Sequence, residues 1–256
     1  MSGRPDPLLL EEMTWPEVRD AAAAGLPVVL PVGATEQHGP HLPLNTDCLI
    51  PVGIAREVAK RVSLVIAPPI RFGAKSRPLS GGGESFPGTI SLSGHTMIDT
   101  LHDVLSALAR SGFERLCLQN WHFENSGYLW EAADLTAREH PGIRIVVLDK
   151  PLPEFTPAQL VELFPAGFPG WSYEHAASME TSLMLALHPE LVRTDRIADD
   201  AAERKPTWEV VPPPPEIIAQ SGVLWRPSEG TAEIGRLYLT AAAERLESAL
   251  RTEFAL

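Results

Sequence analysis

The stretch LPVVLPVGATEQHGPHLPLNTD, residues 26–47, decides how the rest of the chain is read. Its first part, 26–33, is apolar throughout and ends in glycine, which is the pattern of a strand buried on both faces of a sheet. Its second part has no apolar periodicity and gathers Glu36, His38, His41 and Asp47 into one loop. Metal-capable side chains directly after a buried strand are what a parallel sheet leads one to expect, because such sheets bind ligands at the carboxyl ends of their strands.

Outward from this stretch the pattern alternates. A helix is expected over 47–62, where Ile50, Ile54, Val58 and Val62 lie four apart. LVIAPPI (64–70) reads as a second strand, stopped by Pro68 and Pro69. Residues 95–113 form an amphipathic helix, with Met97, Leu101, Leu105 and Leu108 on one face and Gly112 as the C-cap. RLCLQN (115–120) is a third strand, 125–140 a helix, 143–149 a fourth strand and 174–189 a further helix. Residues 203–230 are rich in proline and read as an ordered surface excursion, and a last helix covers 231–254. No repeat or linker divides the chain, so a single domain over 1–256 is expected. Strands alternating with helices imply an α/β fold in which a mostly parallel sheet is covered on both faces.

Composition narrows the function. With 256 residues, 44% of them hydrophobic, the chain has material for a full core. Its formal charge of −12 repels phosphate backbones, so no nucleic-acid partner is expected. No apolar run approaches the ~18 residues a bilayer requires, so no membrane association is expected. MSGRPDPLLLEE is too short and too acidic for a signal peptide, and a cytoplasmic location follows as an expectation. Cys48 and Cys117 sit in apolar contexts and read as buried free thiols.

The chemistry rests on two clusters. Glu36 and His38 are two apart, and an extended segment aims such a pair the same way. Asp47 opens the next helix and is placed either to fold back beside them or to cap that helix. The second cluster, NWHFENS, follows the third strand; His122 and Glu124 repeat the spacing in reverse order. Three carboxylates and two imidazoles exceed what a catalytic zinc ion commonly takes from a protein. They suit two divalent cations sharing one carboxylate, a balance of about +1 that favours a bridging hydroxide. Nitrogen and oxygen donors without thiolate point to Zn²⁺ or Mn²⁺. The competing reading is a set of loop hydrogen bonds and helix caps. His41 is the nearest rival ligand but has no mirrored partner, and His95, His102, His140 and His188 read as ordinary residues. The loop SGGGESFPGT (80–89) lacks the Lys-Ser/Thr of a phosphate-binding loop. Ser80 and Gly81 then belong either to a backbone wall of the substrate pocket or to a plain turn.

Four segments, LPVGATEQHGPHLPLNTD, KSRPLSGGGESFPGTISL, QNWHFENS and GWSYEHAASMETSLMLALHPELV, also resemble the creatininase (creatinine amidohydrolase) family, over roughly residues 10–200. The SGGG…FPGT loop and NxHxENS look closer to creatininase itself than to other branches. The resemblance implies a three-layer α/β/α fold and a homohexamer. It implies one ion on Glu36 and His122, a second on His38 and Glu124, and Asp47 between them. It makes His175 the proton-transfer residue, with Glu174 and Glu180 as acidic neighbours, and Trp171 a substrate-packing residue. Without it, His175 reads equally as a solvent-facing residue at a helix start and Trp171 as core. Three departures fall on the substrate wall: Pro151 stands where the family enzyme has a lid tryptophan, Phe123 stands for a tyrosine, and Glu84 and Ser85 follow the glycines.

The expected activity is therefore metal-assisted hydrolysis of an amide C–N bond in creatinine or a related lactam or cyclic urea. The nucleophile is a metal-bridging hydroxide, and His175, a side-chain type suited to proton shuttling, gives the leaving nitrogen its proton. The alternatives are a linear amide, formamide or lactone at the same dimetal site, or an α/β protein that binds a small ligand without turnover.

Overall fold

The computed structural model describes residues 7–149, 152–165 and 167–256. Among these, five strands form one sheet: β1 (Leu8–Leu9), β2 (Val28–Val32), β3 (Val65–Ile66), β4 (Arg115–Asn120) and β5 (Arg144–Leu148). Their order is β1-β3-β2-β4-β5 and every pairing is parallel. The connecting helices are α1 (Trp15–Ala23), α2 (Thr46–Ala59), α3 (Gly94–Arg110), α4 (Ser126–Glu139), α5 (Pro157–Leu163), α6 (Ser178–Leu187) and α7 (Ala232–Phe254).

Strand alternation divides the core in two. Val28, Leu30 and Val32 of β2, with Leu116 and Leu118 of β4, face a cluster that includes Met97, Leu101 and Leu105 of α3 and Leu129 of α4. Val29 and Cys117, one position out of step, face the opposite cluster with Ile50 and Ile54 of α2, Leu183 of α6 and Leu246 of α7. The residues of the central strand β2 are all buried, alternately against one layer of helices and the other, so the sheet is the middle of a three-layer α/β/α sandwich.

Two expected elements are shorter than their apolar runs. The strand expected over 64–70 pairs only at Val65–Ile66, because Pro68 and Pro69 have no N–H for the ladder; Ile70 rejoins β2 through an isolated bridge to Val32. The helix expected from 174 begins at Ser178. Two carboxylates intervene: Glu180 accepts from the Ala176 N–H at 2.7 Å and Glu174 from the Met179 N–H at 3.0 Å, so the chain turns, with Ala176 at φ 51°, before the helix starts. β1, α1 and α5 are additions the periodicity did not disclose. Both cysteines are free and buried. No helix among the described residues is long and apolar enough to cross a membrane. Pro151, the position of the expected lid difference, lies outside the described residues.

Candidate active site

β2 and β4 are neighbours, and their register ends with Val32 opposite Asn120. From β2 the sheet grows by β3 on one side and by β4 on the other, so their carboxyl ends flank a crevice at which connections leave in opposite directions. The two polar clusters are the segments that leave these ends, and the fold brings them together.

Asp47 reaches the crevice because α2 starts against the end of β2. A Cβ on Gly33 would lie 2.3 Å from the Asp47 carbonyl oxygen, so glycine permits the approach. Pro51, inside α2, has no N–H to give that carbonyl. The Asp47 carboxylate then stands between two buried imidazoles: Oδ1 is 3.1 Å from His38 Nε2, and Oδ2 is 3.3 Å from His122 Nδ1. His122 Nδ1 is also 2.9 Å from Glu36 Oε1, and its Nε2 lies 2.9 Å from the Ala74 carbonyl. Ser76 donates its hydroxyl to Glu36 Oε2.

The electrostatics are those of a site short of positive charge. Burial alone would drive His38 and His122 neutral, yet the carboxylates of Asp47 and Glu180 beside one and of Glu36 and Asp47 beside the other hold both pKa values well above the ordinary imidazole value. Burial likewise opposes charge on Glu36 and Asp47, and the imidazoles overcome it, holding both carboxyls below the usual range. Asp47 Oδ2, although buried, makes no well-formed hydrogen bond. The carboxylates thus favour positive charge at the positions of both imidazoles. Glu36, Asp47 and His122 offer donor atoms within 4.8 Å of one another, and so do His38, Asp47 and Glu180, two sets with Asp47 in common. The donor set, oxygen and imidazole nitrogen, fits Zn²⁺ or Mn²⁺.

Two expected pairings change. Glu124 is not the neighbour of His38. Its Oε1 accepts from the Ser80 hydroxyl and from the Arg77 side chain at 3.5 Å, and its Oε2 lies 3.6 Å from His122 Nε2, so these donors hold it towards the glycine loop. Besides Asp47, the carboxylate near His38 is Glu180, at 3.6 Å. Nor does Glu174 or Glu180 orient His175. The His175 ring contacts Gln37 Nε2 at 2.8 Å through Nε2 and Glu36 Oε1 at 3.6 Å through Nδ1. Glu180 instead accepts from Trp121 Nε1 and the Ala176 N–H, while Glu174 Oε1 is buried without a partner. Burial, and the Glu180 charge beside it, push the Glu174 carboxyl well above its ordinary pKa.

These groups open on a cavity of about 230 Å³ whose lining includes Ser80, Phe123, Trp171, Glu174 and His175. Trp171 stands at the rim against Phe155, Phe164 and Phe168, and Phe123 is exposed beneath the Arg77 guanidinium. Gly81 leaves room for His175, since a Cβ there would lie 2.3 Å from the imidazole. Glu84 and Ser85 are exposed and do not line the cavity. His41 is buried apart from the cluster, with Nε2 2.9 Å from the Thr181 hydroxyl; burial, with His38 nearby, lowers its pKa to about 4. Residues that the motifs did not disclose are Gln37, Ser76, Arg77, Glu209 and Leu224. The last two come from the proline-rich excursion, which lies over the site.

The Creatininase family model, creatinine amidohydrolase, matches residues 11–250. The chain is 41% identical to a creatinine amidohydrolase of Pseudomonas putida, over 95% of this chain and 96% of the relative. It is 31% identical to a mycofactocin precursor peptide peptidase of Mycobacterium tuberculosis, over 89% of this chain and 88% of the relative. Among solved structures, a mutant creatininase of Zn-Zn type superposes with a TM-score of 0.90 at 38% identity, covering 98% of this chain and 99% of the other. A crevice at β2 and β4, paired carboxylates and imidazoles within it, and a match along nearly the whole length lead to one assignment: this chain belongs to the creatininase family.

Proposed function

We propose that the protein is a metal-dependent amidohydrolase that cleaves the C–N bond of a small cyclic amide, creatinine or a related lactam or cyclic urea. The observation that carries this reading is Asp47, buried between His38 and His122 and shared by two donor sets at the mouth of the sheet. Glu36, His38, Asp47, His122 and Glu124 would hold two ions, with Glu180 beside His38. The Zn-Zn form of a relative supports a pair. Bound there, the ions would supply activated water at neutral pH and polarise the substrate carbonyl.

The chain's own residues do the rest. Ser80, Phe123 and Trp171 frame the cavity, whose size suits a small ring, and Gly81 packs behind His175 on its wall. Two groups on its wall are able to carry a proton beside the reacting atoms: His175, and Glu174, whose carboxyl burial pushes well above its ordinary pKa. Glu180 fixes the backbone between them through the Ala176 N–H. The same reading extends to a single domain over 1–256, assembled as a homohexamer in the cytoplasm.

The test is a panel of creatinine, cyclic ureas, lactams, formamides and lactones, assayed after loading with Zn²⁺ or Mn²⁺. Turnover of a cyclic amide, lost on chelation and regained on adding metal, is expected. Turnover of esters alone refutes amide hydrolysis, and a metal content near zero refutes the dimetal site, leaving a small-ligand-binding protein. The peptidase relative favours one second reading, a linear amide, and formamide or peptide turnover without ring opening would establish it.

A further inference from the structure

Gln37 lies between Glu36 and His38, and nothing in the metal reading uses it. In a regular extended segment its side chain would point away from theirs. Here it is buried and ties four parts of the chain together. Its Oε1 accepts from the Gly39 N–H at 2.8 Å. Its Nε2 lies 2.9 Å from the Gly81 carbonyl, 2.9 Å from the Gly222 carbonyl and 2.8 Å from His175 Nε2.

These contacts fix the amide's orientation by chemistry. Carbonyl oxygens only accept, so the atom facing Gly81 and Gly222 is the NH₂ group; a backbone N–H only donates, so the atom facing Gly39 is the oxygen. An amide nitrogen has two hydrogens, here shared among three acceptors, and no lone pair to offer. The His175 nitrogen facing it must therefore bring a lone pair, and the ring proton belongs on the other nitrogen. Nδ1 is the one turned to the cluster, 3.6 Å from Glu36 Oε1. The packing around this contact leaves no slack. A Cβ on Gly222 would lie 2.1 Å from Gln37 Oε1, and one on Gly81 2.3 Å from the His175 ring.

We propose that Gln37 is a positioning residue that fixes His175 in the tautomer protonated on Nδ1, so that His175 meets the substrate as a hydrogen-bond donor from that nitrogen. The proposal deepens the amidohydrolase reading and rests on it for the substrate. In the assigned tautomer the imidazole offers its N–H to oxygen that gains negative charge as the carbonyl is attacked, and it keeps the proton while doing so. Gln37 touches neither substrate nor ion in this scheme; it acts through His175.

The tautomer is read directly from long-range ¹H–¹⁵N spectra of protein labelled at histidine, metal-free and loaded with Zn²⁺, with the His175 signals identified by their loss in His175→Asn. The expected spectrum has a protonated Nδ1 and a lone-pair Nε2 in both states. A proton on Nε2, or an Nδ1 signal displaced into zinc coordination, overturns the proposal. Gln37→Met should abolish the tautomer preference and lower kcat about 10²-fold, the scale of one lost oxyanion donor. KM should stay within about threefold and metal content should not change, the signature of an interaction made in the transition state. Gly222→Ala should act in the same direction by displacing the amide. A folded Gln37→Met protein with unchanged kcat overturns the proposal. Should that variant not fold, the wild-type spectrum decides. Wild-type protein inert towards every amide sinks the amidohydrolase reading, while the spectrum still decides the tautomer.

Discussion

The carboxylates of Asp47, Glu36 and Glu180 raise the pKa values of His38 and His122 against full burial. A divalent ion entering either set must displace any proton held on these imidazoles. Both imidazoles have raised pKa values, so they are more protonated at a given pH than free histidine is. Metal uptake should therefore weaken as pH falls, with proton release on binding, measurable as a buffer-dependent heat in titration calorimetry. Asp47→Asn should remove most of that binding, because the carboxylate common to both sets is gone. His175→Ala should leave metal content at the wild-type level while kcat falls at least about 10²-fold; unchanged turnover would remove His175 from the chemistry. The mirrored Glu-x-His and His-x-Glu pairs were legible because both follow buried strands. The partners of Glu124 and His175 were not. They depend on Arg77, Ser80 and Gln37, which are brought in by loop geometry that no spacing rule describes.

Elements show the same division. β4 and α4 were readable to within about a residue, since an apolar run or a 3.6-residue stripe is bounded there by turn residues. The start of α6 was not: two side chains in EHAASMET take the N–H groups of Ala176 and Met179, the second of which a helix from 174 would have bonded to the residue-175 carbonyl, and sequence periodicity counts side-chain faces, not caps. β1 escaped notice because two residues carry no period. At the junction of β2 and α2 the fit depends on a single missing methyl. Gly33→Ala would press a Cβ against the Asp47 backbone, so α2 must shift and take the carboxylate with it. The expected cost is about 1–3 kcal/mol of stability, seen in denaturant melts, together with weakened metal binding.

For the whole molecule, the two-sided burial of the sheet was the most predictable feature, because all-apolar strands between amphipathic helices have no other way to hide both faces. It also accounts for the cysteines. Cys117 points from β4 into the α2–α6–α7 core, Cys48 sits at the start of α2, and burial pushes both thiols up to about 12. Native protein should resist alkylation at pH 8 and react at both positions once unfolded, counted by mass spectrometry. The proline-rich excursion was recognisable by composition, but its destination was not. Only the structure shows Gly222 bonded to Gln37 and the Leu224 N–H bonded to the His175 carbonyl at 3.2 Å.

That excursion has a consequence in time. Residue 222 closes over residue 37 across 185 positions of the chain, a separation that the packing of α7 on α2 also spans. Chain closure over such a distance comes late, after the nearer strand and helix pairs have formed. On dilution from denaturant, far-ultraviolet dichroism should recover first and turnover should lag behind it, the enzyme regaining its shape before its trade. Simultaneous recovery would mean that the remote closure is already made in the earliest compact state.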